Sequence, residues 1–443
     1  MKEKLEKAKK LSIKEGAAYS VSDGFGLKYI APYALFLGAN NFYISLLTSL
    51  PTLLGRFFEL HTIKLMSKIS RNKISFFGAL VQAILWLFVI VVGLFYYFNF
   101  NSNLSPLLLV IIYTLLIIFG TAIVPAWTSL MRDLVTENTG RYFGYRNRVC
   151  TFVVLISMLI AGFLLDYFKQ TKVFLGFVII FSIAFFARLT SSILLKKTYE
   201  PEFKQKKEFF FSFFDFIKQI KKNNFGRFVL FITLISLTTN IASPFFTVYL
   251  LKNLNFSYVF YILITITNSL STLVFSPVWG KFADHYGNMK VIKICSFITP
   301  IIPLAYLLTP FVHNYILIIY LILIEILSGF AWAGLNLTMS NFVYDAVSRE
   351  RMALCVTYFN IVEGIGIFVG ATLGGLIASF NFVFFGLVPL LFIFLLSGVL
   401  RLLVPIFMLK QVKEVRNVKP FSYKEFKERI SNLSFSTFIN LFI

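Results

Sequence analysis

Along the whole chain, continuous apolar runs of about twenty residues alternate with short polar connections. A helix rises 1.5 Å per residue, so about 20 apolar residues cross the hydrocarbon core of a bilayer. The pattern predicts spans over residues 17–38, 42–63, 74–98, 107–130, 149–166 and 173–195. After a polar stretch it predicts six more, over 228–250, 258–280, 291–310, 315–339, 356–379 and 383–408. The expected fold is an all-α polytopic membrane protein of about 12 transmembrane helices in two six-helix bundles. The runs lack the ten-residue alternation of β-barrel strands, which argues against a barrel.

Basic residues gather on one set of connections. The odd-numbered connections hold only Lys169, Lys172 and Lys252, while the even-numbered ones and both tails carry most of the 42 Lys and Arg residues. Cytoplasmic loops collect positive charge, so both termini are predicted inside. The domains follow: an N-terminal bundle over 1–195 with a short cytoplasmic tail, a connection over 196–227, a C-terminal bundle over 228–408 and a basic tail over 409–443. The first fifteen residues are charged and lack a small-residue cleavage site, so they read as cytoplasmic tail and not as a cleaved leader. The connection mixes Lys with clustered Phe, as an amphipathic helix at the inner membrane surface would, although a plain tether is simpler. The tail after Lys410 would rest against anionic lipid in the same way.

Composition narrows the function. Only 14% of residues are charged and 58% are hydrophobic, where soluble domains carry roughly 25% charged residues. The net charge of +22 follows topology and does not mark a nucleic-acid partner. Cys150, Cys295 and Cys355 lie in or beside apolar runs and have neither disulfide-framework nor metal-ligand spacing. His61, His285 and His313 are scattered. No Gly-rich nucleotide loop ending in Lys-Ser/Thr occurs, so ATP-driven pumping has no support. No catalytic, cofactor or metal residue is expected, and the chain reads as a non-enzyme.

The halves repeat a short motif. Residues 279–290, WGKFADHYGNMK, follow span 8, and residues 63–73, IKLMSKISRNK, follow span 2. A shift of 217 positions sets Lys64 on Lys281, Ser67 on Asp284, Lys68 on His285, Ser70 on Gly287 and Lys73 on Lys290. A shift of 210 sets Gly140 and Arg141 on Glu350 and Arg351. In this six-plus-six setting the chain resembles the major facilitator superfamily of secondary transporters, over about 15–408. The loop resembles that family's signature, Gly-x-x-x-Asp-(Arg/Lys)-x-Gly-x-(Arg/Lys)-(Arg/Lys). The second copy supplies Gly280, Asp284, Gly287 and Lys290. The first supplies Lys68, Arg71 and Lys73, with Ile63, Ser67 and Ser70 in place of Gly, Asp and Gly. The resemblance implies alternating access, with these loops as a cytoplasmic gate weakened at Ser67. Gly280 is expected to let helices approach closely and Gly287 to permit a tight turn. Arg132, Asp133 and Arg141, after span 4, join the gate candidates. The signatures of sugar porters, peptide–proton symporters and proton-coupled drug antiporters are missing, so no subfamily is indicated.

Ionisable groups inside spans are costly and mark candidate sites. Asp23 and Lys28 lie in span 1, which Gly24 and Gly26 loosen and Pro32 bends. Arg56 and Glu59 share a face of span 2 and can pair locally. Glu325 in span 10 has no partner in its own stretch, and Glu363 opens a glycine-rich run in span 11. Arg188 and Arg401 hold matching places in spans 6 and 12, where they either snorkel to the interface or face the cavity. Facing it, they would select an anion. Trp127 and Trp332 offer aromatic faces with an N–H donor, and Asn240 and Asn336 add polar contacts. Gly366, Gly370 and Gly374 repeat at four-residue spacing as a packing face. Pro51, Pro125 and Pro244 mark bends.

The sequence therefore reads as a secondary active transporter of a small solute, with a proton or other cation coupled through Asp23 or Glu325. Efflux of hydrophobic or amphiphilic compounds is an alternative that the 55 Phe residues would suit. A membrane-embedded lipid-processing enzyme would need acids or histidines clustered at one face, and a non-transporting receptor would give no flux. The expected partners are the solute and membrane lipids, with no cofactor, no nucleic acid and a functional monomer. High Lys, Ile, Asn and Phe suggest a bacterial inner membrane.

Overall fold

The computed structural model describes residues 2–170, 172–201, 212–348, 351–380, 388–416 and 418, and every regular element among them is helical. Ten of these helices are long and apolar enough to cross a membrane. They are spans 3 to 12: Arg71–Tyr97, Ser102–Leu134, Thr139–Lys169, Val173–Lys197, Asn224–Asn253, Tyr258–Tyr286, Asn288–Tyr306, Asn314–Ala346, Leu354–Ser379 and Pro389–Gln411. Spans 1 and 2 are helical too, over Lys2–Phe25 with Ile30–Phe36 and over Asn41–Leu65. They are less apolar because they carry the charges already singled out, Asp23 and Lys28 in the first and Arg56 and Glu59 in the second.

The residues read as an N-terminal tail instead form the opening turns of span 1. No Gly or Pro interrupts them before Gly16, and Lys9 Nζ pairs with Glu6 Oε1 at 2.9 Å one turn away. Breaks come where the backbone loses donors or packing. Span 1 kinks at Gly26, span 7 pauses after Ala242 beside Pro244, and span 9 divides at Pro300. Of the 196–227 connection, residues 202–211 lie outside the described residues, and the described part holds one short helix, Phe213–Gln219. The expectation of lipid contact for the tail beyond 418 also lies outside them.

By contact, the chain forms two compact units. One joins Met1–Phe210 with Ile232–Leu263 and Ala353–Ser397; the other comprises Phe211–Phe231, Ile264–Met352 and Gly398–Ile443. In the first, span 1 packs on spans 5 and 6, span 3 on spans 4 and 6, and span 2 on span 4. Tyr33, Trp86, Phe177 and Phe181 form an aromatic core, with Tyr33–Phe177 and Tyr33–Phe181 centroids 4.9 and 4.8 Å apart. The buried Tyr29 and Tyr33 hydroxyls donate to the carbonyls of Met158 and Val89, so neither polar group is left unmet.

The glycine series of span 11 meets span 7 backbone to backbone. A Cβ at Gly366 would sit 2.7 Å from the Thr233 carbonyl oxygen, and Cβ atoms at Gly370 and Gly374 would overlap those of Leu237 and Ile241. Two four-residue rows thus interlock, which only glycine permits at that separation. In the second unit, Gly329 lies against Asn268, and Trp279 Nε1 donates to the Phe330 carbonyl at 2.8 Å.

Candidate functional site

Two polar side chains lie deep within the first unit. At 1.5 Å per residue, Gln82 sits roughly 16 Å along span 3 from Arg71, and Arg188 roughly 14 Å inside the end of span 6. Between them lies a cavity of about 410 Å³ whose lining includes Glu15, Tyr19, Gln82, Trp127, Arg146 and Arg188. Spans 1, 3, 4, 5 and 6 all contribute.

Each charged group there is held from several sides. Arg188 is 4% exposed; its Nε donates to Gln82 Oε1 at 2.8 Å and its Nη1 to Ser191 Oγ at 2.8 Å. Ser191 Oγ donates in turn to Glu15 Oε1 at 2.9 Å. Arg146 Nη2 donates to Glu15 Oε2 at 3.3 Å, and its Nε lies 3.3 Å from the Ser12 carbonyl and hydroxyl oxygens. Both guanidiniums also lie over rings: Arg146 is 4.4 Å from the Trp127 centroid and Arg188 is 4.8 Å from that of Tyr19. Gln82 is oriented by its own donation to the Leu116 carbonyl at 2.7 Å. Among the described residues, Arg188 Nη2 and Arg146 Nη1 have no hydrogen-bond acceptor. The cluster therefore holds two guanidiniums and one carboxylate, leaving one positive charge and spare donors beside the cavity.

Several of these residues escaped the sequence reading, among them Gln82, Tyr19 and Ser191 and the charged pair Glu15 and Arg146. Glu15 fell in the supposed tail, yet it is 5% exposed. Arg146 fell just before the expected start of span 5. The available signals were the small residues Gly16, Ala17 and Ala18 beside Glu15, and the helical spacing of Tyr142, Arg146 and Cys150. A Cβ at Gly16 would sit 2.7 Å from both Arg146 Nη2 and Cys150 Sγ, which shows how closely spans 1 and 5 approach.

The other expected residues are dispersed. Asp23 is half-buried in span 1 and Lys28 is exposed beyond the Gly26 kink, with no ion pair between them. Arg56 and Glu59 do pair, at 3.7 Å, and Gly364 of span 11 lies close to Arg56. Glu363 accepts from Ser236 at 3.0 Å, whereas Asn240 donates to the Ser236 carbonyl of its own helix at 2.7 Å. Glu325, which has no partner on its own helix, receives Asn268 at 2.9 Å and Tyr306 at 3.2 Å from spans 8 and 9. Trp332 is half-buried and Asn336 exposed. Arg188 and Arg401 are buried and do not snorkel, and Arg401 Nη1 lies 3.4 Å from the Thr299 carbonyl oxygen.

The loop motifs resolve into capped, ion-paired helix ends. Arg71 is fully buried; its Nη1 lies 2.5 Å from Asp133 Oδ2 and its Nε 3.2 Å from Glu200 Oε1. Glu200 also accepts the backbone N–H groups of Arg71 and Asn72, at 2.9 and 3.2 Å, and so caps span 3. The second copy repeats this with different residues. Glu414 caps span 9 through the Met289 N–H at 2.8 Å, and Asn288, the counterpart of Arg71, donates to Asp345 at 2.7 Å. The cation comes from beyond span 12: Arg416 Nε lies 2.6 Å from Asp345 and its Nη1 3.2 Å from Asp284. Asp345 pushes the Arg416 guanidinium further above its ordinary range. Asp284 is 76% exposed, so that pair contributes about 1 kcal/mol or less.

One expectation, for Gly280, changes here, and the structure places the other gate candidates as follows. Asp133 pairs with Arg71 and not with neighbouring Arg132, which is exposed. Gly280 is no point of close approach, since a Cβ there would meet only Leu337, at 3.5 Å. Lys68, Lys73 and Arg141 are exposed rather than drawn into the ion-pair network, while Lys290 lies 5.5 Å over the Tyr286 ring. Gly287, at φ +93°, does make the turn that a side chain would strain.

At the end assigned outside by the charge distribution, Asp166 closes span 5 onto span 8. Its two oxygens accept the N–H groups of Tyr258 and Val259, both at 2.8 Å. A carboxylate at a helix start meets orphan donors and the positive end of the dipole. Asp166→Ala should cost about 1 kcal/mol of stability. It should also raise severalfold the thiol labelling of a cysteine placed at Asn40 in a cysteine-free background. Asn40 lines a second cavity of about 430 Å³ at this end, in which Lys252 is the one charged residue among the described lining residues. An unchanged labelling rate would show that the cap does not restrain this end.

Comparison with known proteins adds the wider setting. The family model described as Major Facilitator Superfamily matches residues 18–238 and 228–443. The crystal structure of a mutant nucleoside transporter NupG superposes with a TM-score of 0.71 at 14% identity, covering 91% of this chain and 100% of that one. The POT family transporter PepTSo gives 0.69 at 12% identity, covering 91% and 97%. A bacterial homolog of the human lysosomal transporter Spinster, inward-facing and unoccupied, gives 0.61 at 14%, covering 94% and 99%. No curated protein sequence matches.

Proposed function

Because the chain belongs to the major facilitator superfamily, we propose that it is a secondary transporter that carries a small organic anion by alternating access. The halves 1–195 and 228–408 would rock about a central path, as two related bundles can. The observation that carries the anion reading is the charge balance of the cavity in spans 1, 3, 4, 5 and 6. Arg146 and Arg188 face it, Glu15 is the one carboxylate among the described lining residues, and the guanidiniums keep unused donors. In a low-dielectric surrounding, such an excess is strongly relieved by one anionic group. Arginine also suits the task, because its planar fork matches a carboxylate or phosphate while its face stacks on a ring. A volume of about 410 Å³ falls in the usual range for small-molecule sites.

Asp23 and Glu325 are the cation-coupling candidates of this reading. A bacterial inner membrane and a functional monomer complete it.

The test is a thermal-shift screen of the detergent-purified protein at two pH values. Small carboxylates and phosphate esters should raise Tm by several degrees when present at many times Kd, while sugars, nucleosides and hydrophobic amines leave it unmoved. Stabilisation by amines or neutral amphiphiles alone would overturn the anion reading and favour efflux of such compounds.

A further inference from the structure

We propose that the substrate is a monocarboxylate with an uncharged, apolar body, of the class of short-chain fatty acids and simple aromatic acids. The inference rests on the anion reading above and narrows it, by fixing the charge of the ligand and the character of its body.

Charge comes first. The charged residues among the described lining of the cavity are Arg146, Arg188 and Glu15, which leave one positive charge in excess. A single carboxylate on the spare guanidinium donors neutralises the site. A dicarboxylate, or a phosphate monoester with its charge of nearly two at neutral pH, brings a second negative charge that meets no cation. An amino acid brings an ammonium group, but Glu15 is already engaged by Arg146 at 3.3 Å and by Ser191 at 2.9 Å. A charge left uncompensated away from water is costly in either case.

The walls decide the body. Ile117, Gly120, Thr121 and Val124 follow one another at helical spacing on one face of span 4, and Leu27 lines the cavity with them just beyond the span 1 kink. The one hydroxyl on this face, that of Thr121, donates to the Ile118 carbonyl of its own helix at 2.9 Å. The Gln82 amide is spent at both ends, on Arg188 and on the Leu116 carbonyl. The other polar side chains of the described lining are Tyr19 and Trp127, over whose rings the guanidiniums lie, and Thr128 next to Trp127. Polar contacts thus gather around the guanidiniums and leave the span 4 face to an apolar body. Hydroxyls laid on that face would give up water without gaining a partner.

Calorimetric titration of the full-length protein at pH 7.5 with matched six-carbon ligands tests this. Hexanoate should bind at least about tenfold tighter than gluconate, which adds hydroxyls, than adipate, which adds a second carboxylate, and than 6-aminohexanoate, which adds an ammonium group. Butyrate should bind about fourfold weaker than hexanoate for each methylene it lacks. Arg188→Gln should abolish hexanoate binding, which separates the site from partition into detergent. Val124→Thr and Val124→Ala should each weaken hexanoate severalfold and gluconate less. Gluconate, adipate or 6-aminohexanoate binding as tightly as hexanoate would overturn the monocarboxylate assignment, and gluconate or adipate doing so would leave the anion reading standing. Hexanoate binding that survives Arg188→Gln, or that ignores chain length and both Val124 variants, would also overturn it. No binding of hexanoate, gluconate or adipate would sink the anion reading together with the inference.

Discussion

Arg188→Gln should lower the affinity for any stabilising anion by at least about 30-fold, and transport in vesicles with it. Removing one partner of a buried, hydrogen-bonded charge pair costs about 2–5 kcal/mol, and 2 kcal/mol is already about 30-fold. The arginine donates to Gln82 and Ser191, lies over Tyr19 and supplies half of the cationic charge at the cavity. Without it, Arg146 and Glu15 balance each other and no excess remains to hold a ligand. Arg188→Lys should fall between, because an ammonium keeps the charge but loses the fork and the stacking face. Arg401→Gln is the matched control: Arg401 is equally buried but lies in the other unit beside Thr299. It should lower Tm without a selective loss of anion binding. Wild-type affinity in Arg188→Gln would remove the cavity from the mechanism.

Gly370→Val should be the most damaging single change to the fold. The space for a Cβ at this position is occupied by the Leu237 backbone carbonyl, which cannot rotate away as a side-chain tip could. Spans 7 and 11 would have to separate, and the rows at Thr233 and Gly366 and at Ile241 and Gly374 would lose their contact as well. Overpacking of one site typically costs about 1–3 kcal/mol, and a forced backbone separation should exceed that range. The expected result is a large drop in Tm and in the monodisperse fraction, with Gly370→Ala affected in the same direction. Gly140→Ala is the control, because nothing lies within 4 Å of its Cβ. Equal behaviour of the Gly370 and Gly140 variants would show that span 11 does not depend on the interlock.

The sequence and the structure divide this molecule along a physical line. The spans were legible because crossing a bilayer demands a local property, an apolar run of sufficient length, whatever packs beside it. The Arg56–Glu59 pair, the Gly287 turn and the glycine row were legible for a similar reason, since each depends on residues within one or two helical turns. The expected N-in orientation also came from local counting of charges. What sequence could not supply was the rotation of each helix about its axis. A helix that is apolar all round has no polar face to show which side turns inward, so neither the depth of Arg188 nor its partners could be deduced.

That rotation, with the assembly of the bundle, decided the site. It brought Glu15 from a charged segment that hydropathy assigned to water into contact with Arg146 and Arg188 from two other helices. It gave Asp133 to Arg71 in place of adjacent Arg132, and it furnished Glu325 with Asn268 and Tyr306. In each case a buried charge found its partner across sequence distance, because burial makes an unpaired charge costly while its nearest residues in sequence point elsewhere on the helix. The sequence alone determined a twelve-span membrane protein and the family it resembles. Tertiary structure alone determined which charges meet, and so where two guanidiniums share one carboxylate beside a cavity.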